Sequence, residues 1–123
     1  MADQPRILGR QILLVDDDDG ARESIKLLLS IDRHKVIEAK NGQEALETLH
    51  QTVPDLAIID YFMPQMKGGE LAANLKFVAP SLPILMVTAY MEKLVDAGDP
   101  VDLVLAKPFG IADLRQAIAK LLN

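Results

Sequence analysis

The chain has 123 residues, with 13 Lys and Arg against 18 Asp and Glu, which gives a formal net charge of −5 at pH 7. This length fits one domain with a sizeable core, and the chain, half apolar and a quarter charged, has the composition of a soluble globular protein. An acidic chain without a run of Lys or Arg lacks the basic patch that binds nucleic acid or an anionic membrane surface. The absence of cysteine excludes disulfides, thiolate metal sites and thiol catalysis.

Neither a membrane-spanning segment nor a signal peptide is predicted. The longest apolar runs, such as 12–15 and 84–87, are far too short to cross a bilayer, and residues 1–6 lack the apolar core of a signal peptide. We therefore expect a cytoplasmic protein with one domain over residues 1–123, in which residues 1–9 form a flexible N-terminal extension.

Five short apolar runs predict β-strands along the chain. They are rich in Ile, Leu and Val and mostly do not alternate with polar residues, which is typical of strands buried on both faces of a parallel sheet. The runs lie at residues 12–15, 35–37, 56–59, 83–87 and 103–106.

The segments between the strands have apolar residues at helical spacing. The four stripes are Ala21, Ile25, Leu28 and Leu29; Ala45, Leu46 and Leu49; Leu71, Ala72, Leu75 and Val78; and Ile111, Leu114, Ile118 and Leu121. Asn41 is a candidate N-cap for the second helix, and Pro80 cannot continue the third. Repeated alternation of strand and helix predicts one three-layer α/β domain, with a parallel sheet covered by helices on both faces.

Polar residues follow the predicted strands at the edge where an open parallel sheet usually has its site. They are three carboxylates, one hydroxyl and one amine: Asp16, Asp17, Asp60, Thr88 and Lys107. Carboxylates this close repel one another unless a cation joins them, and oxygen ligands suit Mg²⁺. With the amine and the hydroxyl they would form a cradle for a phosphoryl group, and the central carboxylate could act as its nucleophile.

Five segments carry a family resemblance, namely ILLVDDD at 12–18, IIDYFMP at 58–64, MKGGE at 66–70, VTAY at 87–90 and AKPF at 106–109. In this order they resemble the receiver domain of two-component response regulators, over nearly the whole chain. The resemblance implies a flavodoxin-like fold with strand order 2-1-3-4-5. It also implies a signalling domain that catalyses only its own phosphorylation and dephosphorylation.

The resemblance further implies a role for each site residue. Asp60 is the expected phosphoryl acceptor, and Thr88 and Lys107 are expected to bind phosphoryl oxygens. Mg²⁺ is expected at the carboxylates of Asp16, Asp17 and Asp60 and at the backbone carbonyl of Phe62, with Asp17 a direct ligand and Asp16 acting through water. The expected donor is a phosphohistidine on a sensor histidine kinase or a histidine phosphotransfer protein, and a downstream effector is a further expected partner.

The chain departs from the family pattern in two places. Val104 stands where receivers usually have an aromatic switch residue, three positions before the lysine. The segment 91–101 is about one helical turn shorter than usual, taking a turn as about 3.6 residues, and it contains Gly98 and Pro100. We therefore expect a fourth helix that is short or disordered, which leaves the oligomeric state open.

The two aromatic residues that follow the site predict a long phosphoryl lifetime. Phe62 and Tyr90 stand two positions beyond the acceptor aspartate and the threonine, where receiver side chains flank the path of the hydrolytic water. Bulky groups there should exclude water that must attack in line. Tyr90 could instead replace the aromatic switch.

Other readings of the same residues stay open. A phosphorylation-independent binding module of the same fold would use the surface without the chemistry. A small aspartyl-phosphate hydrolase would place an acid two residues after its nucleophile, where this chain has Phe62. Asp18 or Asp19 is interpreted as a helix N-cap, and the isolated His34 and His50 are assigned no chemistry.

Overall fold

The computed structural model describes residues 6–63, 65–89 and 100–122. Strands and helices alternate along the described chain as β1 (Gln11–Val15), α1 (Asp19–Ile31), β2 (Lys35–Ala39), α2 (Gly42–Gln51), β3 (Leu56–Asp60), α3 (Gly68–Val78), β4 (Ile84–Thr88), β5 (Leu103–Ala106) and α4 (Ile111–Leu122). The strands form one parallel sheet in the order β2-β1-β3-β4-β5. The predicted flavodoxin-like arrangement is confirmed.

Two apolar layers hold the helices against the sheet. Side chains of β1 alternate between them, because successive residues of a strand point to opposite faces. Leu13 and Val15 pack with α2 and α3, whereas Ile12 and Leu14 pack with α1 and α4. Every residue of β3 and β4 is buried, which explains why their sequences show no polar alternation.

Side-chain caps begin the first two helices as the sequence predicts. The Asp18 carboxylate accepts a hydrogen bond from the Ala21 N–H at 2.8 Å, at the start of α1. The Asn41 side-chain oxygen accepts one from the Glu44 N–H at 2.9 Å, at the start of α2. These caps satisfy N–H groups that have no partner within the helix.

A partly buried ion pair joins the C-cap residue of α1 to α4 across 83 residues of sequence. The Arg115 guanidinium donates from Nε and Nη2 to the two carboxylate oxygens of Asp32, at 2.9 and 3.0 Å. Arg115 also lowers the pKa of Asp32. Nearby, the buried His34 ring accepts the Arg10 N–H at Nδ1, 3.0 Å away, and burial lowers the pKa of His34. The neutral ring thus has a structural partner at the start of β1.

Two predictions concern segments that are described only in part. The predicted short fourth helix falls mostly on residues 90–99, which lie outside the described residues, as do residues 1–5 of the predicted extension. Further along that extension, Ile7 packs against the core layer of α1 and α4, and the Gly9 N–H donates to the Asp32 carbonyl at 3.0 Å. No described helix is long and apolar enough to cross a bilayer.

Candidate functional site

Three carboxylates meet at the carboxyl ends of β1 and β3. Asp16, Asp17 and Asp60 each offer an oxygen, and these oxygens lie within 4.8 Å of one another. Asp16 is only 1% exposed and Asp60 9%, whereas Asp17 is exposed. The parallel pairing of β1 with β3 brings them together, since parallel strands end at the same edge of the sheet.

Lys107 provides the positive charge at this edge. Its Nζ lies 3.3 Å from Asp60 Oδ1, within hydrogen-bonding distance, and 3.5 Å from Asp16 Oδ2. The pairing of β4 with β5 positions it, because the Lys107 N–H donates to the Thr88 carbonyl at 2.8 Å. One ammonium therefore contacts two of the three carboxylates.

The donor set fits a divalent cation. Asp16 Oδ1 accepts the Asp18 N–H at 2.9 Å, but the buried Asp16 Oδ2 accepts no hydrogen bond from the part of the chain that the structure describes. A buried carboxylate oxygen without a donor is costly, and a hard cation would satisfy it. Burial raises the pKa of Asp60, Asp16 and Asp17 add to that rise, and Lys107 opposes it. The cluster carries excess negative charge that a metal ion would offset.

The remaining predicted residues differ in burial where the structure describes them. Thr88 is fully buried at the end of β4. Phe62 is 46% exposed, and its ring meets that of the buried Tyr61 edge-on, with centroids 5.4 Å apart. Val104 is half-buried and packs against the core layer of α2 and α3. Tyr90 lies outside the described residues.

The first turn of α3 lies directly against the Asp60 backbone. A β-carbon on Gly68 would lie 2.8 Å from the Tyr61 Cα and 3.0 Å from the Asp60 carbonyl oxygen. The Gly68 N–H also donates to the Tyr61 carbonyl at 2.9 Å. Gly68 therefore begins α3 and permits a close approach to the end of β3 that the sequence does not reveal.

Sequence reasoning missed Arg22, whose side chain contacts the loop that carries Asp16. Arg22 is buried at 8% exposure, and its Nη1 donates to the Asp16 carbonyl oxygen at 2.8 Å. A signal was present, because Arg22 lies three residues before Ile25 and seven before Leu29, on the buried side of α1. A charged residue in an apolar stripe has a specific partner when it is buried.

Comparison with known proteins agrees with this geometry. The sequence model of the response regulator receiver domain family matches residues 12–119. Response regulator MprA of Mycobacterium leprae is 36% identical over 116 residues, covering 92% of this chain and 51% of that protein. The chain thus spans about half the length of the curated relatives it matches.

Solved structures show the same fold. TrrA from Thermotoga maritima, in complex with Mg(2+)-BeF, superposes with a TM-score of 0.82 at 31% identity, covering 92% of this chain and 99% of that one. The chemotaxis protein CheY4 of Vibrio cholerae gives a TM-score of 0.82 at 25% identity, covering 94% of this chain and all of that one. From its sequence match, its strand order and the acidic cluster at the strand ends, this chain belongs to the response regulator receiver domain family.

Proposed function

We propose that this chain is a phosphorylation-dependent signalling switch that accepts a phosphoryl group on Asp60 from a phosphohistidine. The observation that carries the proposal is the pairing of the buried Asp60 carboxylate with Lys107 Nζ at 3.3 Å, beside two further carboxylates. An amine and a metal-binding acidic pair around one carboxylate suit transfer of a negatively charged phosphoryl group.

The transfer forms one bond and breaks another. A carboxylate oxygen of Asp60 attacks phosphorus while the P–N bond to the donor imidazole breaks. The imidazole nitrogen keeps the electron pair and takes a proton from solvent, and Asp60 becomes an aspartyl phosphate. Lys107 offsets the charge of one phosphoryl oxygen, and the Thr88 hydroxyl donates to another.

The same site would require Mg²⁺. Asp16, Asp17, Asp60 and the Phe62 carbonyl would hold the ion, which supplies positive charge toward the phosphoryl oxygens when bound. Asp16 Oδ2 supports this assignment, because it is buried, accepts no hydrogen bond among the described residues and has Lys107 Nζ only at 3.5 Å. The Mg(2+)-BeF complex of the Thermotoga maritima relative supports it as well.

Phosphorylation would change the charges around Lys107, which pairs with Asp16 and Asp60 in the unphosphorylated protein. The added negative charge at Asp60 would draw Lys107 away from Asp16 and pull Thr88, so that the end of β4 moves. Val104, in place of the usual aromatic residue, would leave this movement without the standard switch side chain. The moving surface would be read by a downstream effector.

The proposed setting is that of a single receiver domain over residues 1–123, with residues 1–9 as an N-terminal extension that Ile7 and Gly9 attach to the domain. The donor would be a sensor histidine kinase or a histidine phosphotransfer protein in the cytoplasm. The domain itself would bind neither nucleic acid nor membrane, because its net charge is −5.

Intact-mass spectrometry after incubation with acetyl phosphate tests this function. We expect the wild type to gain the mass of one phosphoryl group only with Mg²⁺, and to lose it in hydroxylamine, which cleaves acyl phosphates. Asp60→Asn should gain none. Asp18→Asn is the matched control, since asparagine also caps α1, and it should react like the wild type. A wild type that never gains mass would favour the phosphorylation-independent binding module.

The lifetime hypothesis concerns Phe62 and Tyr90. Replacing both with serine is expected to speed loss of the phosphoryl group about 10-fold or more, because water could then reach the phosphorus opposite the leaving oxygen. The decay of the phosphorylated mass with time measures this rate in the double variant and the wild type. Equal rates would show that the two rings do not control access of water.

A further inference from the structure

Arg22 uses all three guanidinium nitrogens on different partners. Nη1 donates to the Asp16 carbonyl oxygen at 2.8 Å, Nε to Glu38 at 3.1 Å and Nη2 to Asp19 at 2.6 Å. The side chain leaves α1, crosses to β2 and closes on the loop that follows β1. It therefore ties together three elements next to the acidic cluster.

The contact with Arg22 is one of three hydrogen bonds that hold Asp16 in place. The Asp16 N–H donates to the Ala39 carbonyl at 3.1 Å, and its Oδ1 accepts the Asp18 N–H at 2.9 Å. With the carbonyl held by Arg22, Oδ2 is the oxygen left without a hydrogen-bond donor among the described residues. The anchors thus set one oxygen toward the cluster.

The position of the Asp16 carbonyl also determines the orientation of the backbone that leads into Asp17. A peptide group is planar, so holding the Asp16 oxygen fixes the orientation of the whole peptide that leads into Asp17. Asp17 is exposed and has little packing of its own to hold it. Its approach to Asp16 and Asp60 therefore depends on this peptide.

We infer that Arg22 is a positioning residue for the divalent-cation site, which it preorganises by clamping the peptide between Asp16 and Asp17. This inference rests on the proposed Mg²⁺ binding. Two carboxylates, Asp19 and Glu38, pair with the guanidinium, which reduces its repulsion of a cation beside it. Residues that hold metal ligands in place typically contribute a factor of about 10–100 to metal affinity.

The direction in which Mg²⁺ affinity changes when Arg22 is replaced separates a positioning role from a purely electrostatic one. Removing a positive charge beside a cation site should strengthen Mg²⁺ binding by Coulomb's law. Loss of a clamp should weaken it. Arg22→Gln is therefore expected to bind Mg²⁺ about 10-fold more weakly than the wild type in isothermal titration calorimetry with MgCl₂.

Two further variants complete the test. Arg22→Lys keeps the charge but cannot span three partners, so we expect its affinity to fall between those of the wild type and Arg22→Gln. Arg115→Gln also loses an ion pair, the partly buried one with Asp32, but away from the site. It should be less resistant to urea, yet bind Mg²⁺ within about twofold of the wild type.

The outcomes are distinct. Weaker Mg²⁺ binding by Arg22→Gln, together with unchanged Mg²⁺ binding by Arg115→Gln, supports the inference. Unchanged or tighter binding by Arg22→Gln overturns it, as does an equal loss in Arg115→Gln, which would indicate general destabilisation. Should Arg22→Gln fail to fold, wild-type affinity in Arg22→Lys overturns the inference. A wild type that does not bind Mg²⁺ overturns the proposed metal site as well.

Discussion

Replacing Gly68 with alanine is expected to destabilise the folded chain by about 1–3 kcal/mol, the usual cost of forcing extra volume into a packed site. The new β-carbon would lie 2.8 Å from the Tyr61 Cα, 3.0 Å from the Asp60 carbonyl oxygen and 3.1 Å from the Met86 sulfur. The first two are backbone atoms, which cannot swing aside. Relief therefore requires α3 to move away from the end of β3.

The same substitution at Gly20 is the matched control. Gly20 also lies in the first turn of a helix, but its new β-carbon would have its nearest neighbour, the Asp18 carboxylate, at an ordinary 3.7 Å. Alanine there is expected to stabilise the chain by about 0.5 kcal/mol, because glycine loses more backbone freedom on folding.

Urea unfolding of the two variants and the wild type measures both effects. The displaced α3 should also disturb Asp60, so the Gly68 variant is expected to bind Mg²⁺ more weakly in the same calorimetric assay. A Gly68→Ala protein as stable as the wild type would show that α3 can shift at no cost. The interpretation of Gly68 as a close-approach position would then be wrong.

Asp60→Asn is expected to be more stable than the wild type without Mg²⁺ and less stable than the wild type with Mg²⁺. Without Mg²⁺ the wild type buries Asp60 beside Asp16 and Asp17, a repulsion that Lys107 only partly offsets. An uncharged amide removes one of the repelling charges. We expect a gain of about 0.5–2 kcal/mol in the free energy of unfolding, a usual range when a functional site is relaxed.

Mg²⁺ should change that order. Binding to the folded state alone adds about 2.7 kcal/mol when the ion is present at 100 times its dissociation constant. The wild type would gain this amount, whereas Asp60→Asn, with one ligand carboxylate missing, would gain much less. Urea unfolding in EDTA and in excess MgCl₂ measures the crossover.

The control for this reversal is Asp18→Asn, which makes the same change in net charge one residue beyond the acidic pair. It should follow the wild type in its response to Mg²⁺. If Asp60→Asn is instead less stable than the wild type in EDTA, the ion pair between Asp60 and Lys107 outweighs the repulsion among the carboxylates. That outcome would contradict the charge argument for the metal-free site.

Much of the site could be predicted because the fold is regular. Asp60 ends β3 and Lys107 follows β5, so their meeting needs only that the strands be parallel and correctly ordered. The caps at Asp18 and Asn41 were predictable for a similar reason, since a cap is satisfied within three residues of sequence. The roles of these site residues in phosphoryl transfer stay predictions until the mass measurement is made.

The contacts of Arg22 and Arg115 could not be predicted in this way. Glu38 lies 16 residues from Arg22, and Asp32 lies 83 residues from Arg115. Arg22 meets Glu38 because β2 pairs with β1 in the register that sets Leu14 opposite Glu38. A shift of one residue in that register would turn Glu38 to the other face of the sheet.

The amino-acid sequence by itself determined the strands, the helices and the edge of the sheet where the carboxylates gather, because hydrophobic periodicity and chain order are local properties. Only the tertiary structure decided which oxygen of Asp16 accepts no hydrogen bond among the described residues, that Arg22 holds its carbonyl, and that Gly68 lies against Asp60. Those features depend on ångström-scale packing between elements distant in the chain, for which no single segment of sequence carries the information.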